Sequence, residues 1–522
     1  MALLLIGIGL VGIVAGLFWP PGTAALMLLS GGCAFFNCGL NGFLWKWDRR
    51  YMAYKFFVVF NILQPVFFFA LLLFFGSEVD NLFAATDLWL NGVGTLLVSF
   101  SLLPVLGVLL AGFLEYRERQ AGDSGIDFVG HRLRRGWSFF IVPKMGPAMH
   151  ALLIISAVIN LITWVSDPLN RLLGLPDLNI VSVLLHALAR ALVLMPLVAG
   201  LYWNRNRLVQ IIWLVQLAVG LFLAVITGQR SVGFFSVAYY GLGVILQQPT
   251  LKRRLATASF GVVCGLVLVL LGGFVQNMRG EFGRTGDLQA VKIGEIMRNL
   301  DMLMEQSKNR SALGMEAGPT DALWNGLTRL IDWTQVLVPN MTPAMVPYRG
   351  YDDFGDELMS MTAFPGLGIN RSWVYDNSML PRPYGFNTNT DIDEKGNYVA
   401  MFQVPFGTLA DSWSRGGMFS AIFQMLFACV FLCLVERLLM RWFLPNNSEI
   451  FVLGRMIIIG MAVGTLPATQ LIPSIRNTFV SLGYSLPVVW LLTYWLSGHV
   501  GGPPPPPGHR SPIRPGRPVR SN

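Results

Sequence analysis

Runs of about twenty mostly apolar residues recur from residue 2 to residue 497, each long enough to cross the hydrocarbon core of a bilayer as one helix. The candidate spans are 2–18, 23–44, 56–75, 88–113, 147–165, 180–202, 208–226, 233–248, 255–274, 416–436, 449–468 and 477–497. A soluble domain carries roughly a quarter of its residues as charge to cover its surface. Here only 13% of 522 residues are charged and 54% are hydrophobic, with a mean hydropathy of +0.55. Lipid is the solvent that such a composition calls for. The expected fold is an all-α polytopic membrane protein of about twelve transmembrane helices. The first run has no charged residue ahead of it and stops at Trp19-Pro20-Pro21-Gly22, so it reads as a retained span and not a cleaved signal.

The net charge of +9 is distributed by position. Basic residues crowd one set of short loops: Lys46, Arg49, Arg50 and Lys55, then Arg117, Arg119, Arg132, Arg134, Arg135 and Lys144, then Arg205, Arg207, Lys252, Arg253 and Arg254, then Arg437 and Arg441. The opposite short loops hold only Arg171, Arg230 and Arg476. Basic loops stay on the cytoplasmic side, so both termini are expected in the cytoplasm. The long segment 275–408, which holds most of the acids, is then extracytoplasmic and lies between spans nine and ten. The expected organisation is a membrane domain over 1–274, a loop domain over 275–408, a second membrane part over 409–497 and a tail over 498–522. That tail runs from Pro503–Pro507 to Arg510, Arg514, Arg517 and Arg520; it cannot bury apolar surface and reads as a solvated, disordered cytoplasmic tail, with anionic membrane lipid headgroups as the alternative contact. The basic balance therefore reports topology, and nucleic acid is not an expected partner. The five cysteines all lie in apolar runs without companion ligands and read as packing residues.

The long loop has helical periodicity at two places. Leu288, Val291, Ile296, Leu300, Leu303 and Met304 form one pattern, and Leu323, Leu327, Leu330, Ile331 and Val336 form a second, after Thr320 as N-cap. Both helices are expected on the membrane surface or on top of the spans, with Trp324 and Trp333 at headgroup level. From 343 to 407 the chain turns to Pro, Gly, Asn, Asp and Tyr. It includes Tyr348-Arg349-Gly350-Tyr351-Asp352-Asp353, the run Arg371, Trp373, Tyr375 and Asp376, and Arg382 with Tyr384. Rings beside Asn, Asp and Arg suit a sugar surface, since pyranose CH faces pack on rings while polar groups bond the hydroxyls. An ordinary irregular loop of turn residues has the same composition.

Guanidinium groups mark the expected outer surface. Arg230 follows span seven in Gln229-Arg230-Ser231; Arg279, Glu281 and Arg284 follow span nine. Arginine binds phosphate bidentately and stays charged, which suits a lipid-linked diphosphate; interfacial snorkelling is the competing reading. Arg190 and His186 share a face of span six, and an intramembrane Arg belongs toward the bundle interior. Asp411 and Arg415 stand at i, i+4 ahead of Gly416-Gly417 and can pair. The chain contains no Walker A, HExxH, CxxC or serine-hydrolase elbow, and no histidine between 275 and 408.

On its layout, and on Thr227-Gly228-Gln229-Arg230-Ser231, Asn277-Met278-Arg279 and Val404-Pro405-Phe406-Gly407-Thr408-Leu409-Ala410-Asp411 with Arg415-Gly416-Gly417, the chain resembles the O-antigen polymerase–ligase superfamily of bacteria, with its exopolysaccharide repeat-unit polymerases. The resemblance implies metal-independent glycosyl transfer, without cofactor, at the outer face of the inner membrane, between glycans linked to undecaprenyl pyrophosphate. Arg230 and Arg279 fall where the family binds the donor diphosphate. The ligase branch expects a histidine in the loop, which this chain lacks. Glu281, Asp376 and Asp391 are candidate bases for the acceptor hydroxyl. Arg284, Arg371, Arg382, Trp373, Tyr375, Tyr384 and Arg190 are candidate substrate contacts. A flippase and a chain-length regulator are the implied partners. A lipid-linked glycan transporter and a ligase-type glycosyltransferase are the alternatives.

Overall fold

In a computed structural model of the chain, the described residues are 1–84, 89–120, 147–173, 192–202, 207–263, 347–352, 390–392, 398–400, 407–442, 448–467 and 471–500, less single positions within them, with residue 189 and scattered positions between 327 and 342. Helix dominates. The elements are α1 (Ala2–Phe18), α2 (Thr23–Trp47), α3 (Ala53–Ala84), α4 (Trp89–Gln120), α5 (Pro147–Leu173), α6 (Met195–Leu201), α7 (Arg207–Thr227), α8 (Arg230–Gln247), α9 (Thr408–Trp442), α10 (Ser448–Gly460) and α11 (Leu471–Val500). Among the described residues four helical stretches are long and apolar enough to cross a membrane: Thr23–Trp47, Ala53–Ser77, Leu97–Arg117 and Thr408–Trp442. The expected spans at 180–202 and 255–274 fall largely outside the described residues, as do most of the two loop helices and the 498–522 tail.

The described residues are nearly all helical, as expected, with one short hairpin beside the helices. Strands β1 (Thr390–Ile392) and β2 (Tyr398–Ala400) pair antiparallel, with Asp391 opposite Val399. Short β-branched and aromatic runs around Lys395-Gly396-Asn397 are a hairpin signal.

Many apolar side chains face outward while several charged ones are buried. Phe419 is 88% exposed, Leu3 74% and Val11 70%, whereas Lys55 and Glu436 are 0% exposed and Arg455 2%. Water would sort these residues the other way.

Helix contacts follow from small residues. With no solvent-driven force between helices in lipid, close approach of backbones supplies the attraction. α1 lies on α2 with Gly12 against Gly32, Gly9 against Phe36, Gly16 against Leu29 and Gly39 against Ile6; a Cβ on Gly32 would stand 2.6 Å from the Ile13 nitrogen and 2.9 Å from the Gly9 carbonyl. α6 meets α8 in the same way, Gly200 facing the Tyr240 carbonyl and Gly243 the Leu197 carbonyl.

Backbone breaks are repaired by side chains from neighbouring helices. Pro104 in α4 cannot donate to the Phe100 carbonyl one turn earlier; Asn37 Nδ2 of α2 donates to it at 2.9 Å instead. α3 leaves helical geometry at Phe75 (φ −138°, ψ 39°), and Thr23 Oγ1 donates to the Gly76 carbonyl beside it at 3.1 Å.

Two segments fill the bundle from within. Leu327, Ile331 and Val336 pack with Leu26, Leu29 and Cys33 of α2, Phe68, Leu71 and Leu72 of α3 and Phe100 of α4. This corrects the expectation of a helix lying on top: the apolar stripe inserts among the phenylalanine-rich faces of α2–α4. The second is the start of α9, which is two helices. Gly416 and Gly417 break it, Gly417 at φ 65° and ψ −149°. Every residue from Thr408 to Arg415 is buried. Ser412 Oγ donates to Gln424 Oε1 at 2.9 Å, so Thr408–Arg415 folds back along the first turns of the apolar helix after the break. Span ten was expected to begin at 416, and it does so only as the second of these two pieces.

Candidate functional site

α9 carries a polar network at each end. The first surrounds the glycine break. The short helix Thr408–Arg415 leaves its last carbonyls without intrahelical donors. The Tyr348–Asp352 stretch supplies them: the Arg349 N–H donates to the Ser414 carbonyl at 2.8 Å and the Gly350 N–H to the Arg415 carbonyl at 3.1 Å. Arg415 Nε donates to Asp411 Oδ2 at 3.1 Å, the i, i+4 pairing foreseen from sequence, and its Nη1 donates to the Gly350 carbonyl at 3.4 Å. Arg349 shares the same carboxylate at 3.5 Å. The Arg415 guanidinium stands 5.7 Å over the Tyr351 ring, within cation–π range. The Tyr351 hydroxyl bonds Ser420 and accepts from Gln424 Nε2 at 3.3 Å. Gly417 is fixed as glycine twice over, by its positive φ and because a Cβ there would sit 2.6 Å from the Tyr348 hydroxyl oxygen. The result is a buried carboxylate and guanidinium beneath two half-exposed tyrosines and a partly exposed arginine.

The thread through this network continues to α10. After Gly460 one π-helical turn, Met461–Thr465, widens the helix, and it ends at Leu466-Pro467. The Leu466 carbonyl accepts from both the Thr408 N–H at 3.2 Å and Thr408 Oγ1 at 2.6 Å.

The second network sits at the other end of α9, under the α2–α3 loop. Glu436 Oε2 accepts the N–H groups of Met52 at 2.7 Å and Ala53 at 3.0 Å, capping α3 from 384 residues away in the chain. Its Oε1 accepts Arg455 Nε at 2.5 Å, and Arg455 Nη2 reaches the Arg50 carbonyl at 2.6 Å. Beside them Asp48 Oδ1 accepts the N–H groups of Arg50 and Tyr51, and Oδ2 accepts the Tyr54 hydroxyl at 2.7 Å. Lys55 pairs with Asp48 at 3.5 Å and stacks on Trp45. Lys55 was read as a loop cation; it is instead fully buried in α3. In the loop, burial raises the Tyr51 phenol pKa, with Arg437 the first opposing influence, so it stays protonated through neutral pH.

The residues singled out from sequence are distributed unevenly over what is described. Arg230 is the first residue of α8, and Asp391 is the central residue of β1. The side chains of Arg230 and Asp391, and all of Arg190, Arg279, Glu281, Arg284, Arg371, Trp373, Tyr375, Asp376, Arg382 and Tyr384, lie outside the described residues. Cys33, Cys429 and Cys433 are free and buried, and Cys38 is exposed. The buried quartet of Asp48, Lys55, Glu436 and Arg455 was missed, although an acid inside 416–436 and an arginine inside 449–468 were visible signals.

No family model matches the chain, and neither does any curated protein or any solved structure.

Proposed function

We propose that the chain is a multi-pass enzyme of the bacterial inner membrane that joins undecaprenyl-pyrophosphate-linked oligosaccharide units into a polysaccharide at the outer face. In this reading about twelve helices cross the bilayer, both termini are cytoplasmic and residues 275–408 are extracytoplasmic. The observation that carries it is the convergence of Tyr348–Asp352 on Asp411–Gly417. These stretches were singled out for separate reasons, the first as a sugar-facing run and the second as part of the family resemblance. Together they place the partly exposed Arg349 guanidinium, with the buried Arg415 behind it, beside two exposed tyrosine rings. That pairing suits a glycan joined to a diphosphate: the rings take the sugar faces and the guanidiniums take negative charge as the diphosphate leaves. Arg230 and Arg279 are proposed as the principal donor-diphosphate ligands.

Purified full-length protein in a bilayer, given a defined lipid-linked repeat unit, is expected to release a ladder of products. Arg230→Ala combined with Arg279→Ala is expected to abolish the ladder, and Arg349→Ala to shorten it. An unchanged ladder in the double variant would remove the diphosphate assignment.

A second reading, a transporter of lipid-linked glycans, is favoured by the broken helices. The breaks at Phe75, at Gly416–Gly417 and at the π-helical turn resemble the discontinuous helices that line carrier pathways. It predicts that trimming 353–400, which spares the Tyr348–Asp352 cap on α9, leaves function intact, whereas the enzyme reading predicts its loss.

A further inference from the structure

The inserted segment that contains Leu327, Ile331 and Val336 also carries Gln335, which is 4% exposed. Its carbonyl oxygen, Oε1, has no hydrogen-bond partner. Gln335 lines a narrow cavity of about 10 Å³ together with Asn61 and Phe57 of α3, Leu103 of α4, Thr408 of α9 and Leu466 past the π-helical turn. That volume admits a guest no larger than one water molecule. Asn61 Nδ2 is turned to the Ser99 carbonyl at 3.5 Å. Thr408 Oγ1 directs its proton to the Leu466 carbonyl at 2.6 Å, so toward other neighbours it accepts. A buried carbonyl without a donor is costly, and it is costlier in a bundle that lipid surrounds.

We propose that this cavity holds one ordered water, which donates to Gln335 Oε1 and to an oxygen of Asn61 or Thr408. The guest must donate hydrogen bonds, must be water-sized and must be neutral. The lining residues include no carboxylate, and an ion would exchange its hydration shell for a few neutral oxygens. The bridge ties the inserted segment to α3 and to the start of α9. It sits between the two helix breaks and just ahead of the Tyr348–Asp352 stretch in the chain, and it does not depend on the polymerase reading.

The sign of a stability change tests it. Gln335→Met in the full-length chain keeps the volume and removes the carbonyl. If water satisfies that carbonyl, the variant loses a bridge and unfolds at a lower temperature, by about 1–3 °C. If the carbonyl is unpaired, the same variant relieves an unsatisfied acceptor and unfolds at a higher temperature, which would overturn the assignment. Stabilisation of the wild type by sodium chloride but not by choline chloride would also overturn it, in favour of a cation. As a direct measurement, a structure of the wild type at a resolution that shows solvent is expected to have a density peak within hydrogen-bond distance of Gln335 Oε1. A cavity empty of density there would refute the proposal, whatever the variant does.

Discussion

Glu436 holds three donors with one carboxylate: two backbone N–H groups at the start of α3 and the Arg455 guanidinium. Such a group is hard to replace, because each donor would otherwise be buried without an acceptor. Breaking a buried pair by removing one partner costs about 3–5 kcal/mol, chiefly because the surviving charge is stranded. Glu436→Ala is therefore expected to lose stability in that range. Arg455→Ala is expected to lose less, because Glu436 keeps both backbone donors. The double variant is expected to fall no further than Glu436→Ala alone, since the two residues share one interaction. Thermal unfolding of the full-length protein and its three variants, in one detergent, measures all of these. Equal losses for the two single variants would mean that the capping of α3 contributes little.

Glycine spacing decides how closely α1 and α2 approach. The seam admits no side chain: Gly32 abuts Ile13 and Gly9 backbone atoms, and Gly16 abuts Leu29 and the Ala25 carbonyl. Gly32→Leu is expected to force the helices apart and to reduce the yield of folded protein, whereas Gly7→Leu, where an added Cβ meets nothing within 4 Å, is expected to be silent. Gel filtration in detergent compares the two. At this scale the sequence was informative where the signal is a long average. Apolar runs placed α1, α2, α4, α7 and α11 within several residues of their ends. It was uninformative where eight residues matter more than twenty. Thr408–Arg415 contains Thr, Asp, two Ser and Arg, so a hydropathy window reads it as loop, yet every one of those residues is buried. The inward turn is specified by Gly416-Gly417, by the Ser412–Gln424 bond and by donors from Arg349 and Gly350, which stand 65 residues upstream of the carbonyls they cap. A local reading of sequence carries none of that pairing.

The two polar networks stand toward opposite ends of α9. From Met418, just past the glycine break, to Glu436 the helix rises about 27 Å, close to the roughly 30 Å hydrocarbon thickness of a bilayer. Between them the outward face of α9 is apolar, with Phe419, Phe423, Phe427 and Leu434 exposed. Charge clustered at both ends of an apolar length is what a helix needs to stand across a membrane, its polar ends packed in protein or placed at the interface. If α9 crosses a bilayer, as proposed, the Tyr348–Asp352 stretch and the α2–α3 loop face opposite compartments. Arg437 and Arg441 accompany the loop that contains Arg49 and Arg50, and in the proposed reading that concentration of basic residues marks the cytoplasmic end. The exposed residues Asp352, Lys46 and Arg441 provide the test. In a chain whose native cysteines are replaced, a membrane-impermeant maleimide added to intact cells is expected to label Asp352→Cys. It is expected to reach Lys46→Cys and Arg441→Cys only after the membrane is permeabilised. If all three label from outside, α9 does not cross the bilayer and both the enzyme and transporter readings fail. If the pattern is reversed, the helix crosses but the proposed reaction face is cytoplasmic, and a lipid-linked glycan presented at the outer surface could not reach Arg349 or Tyr351.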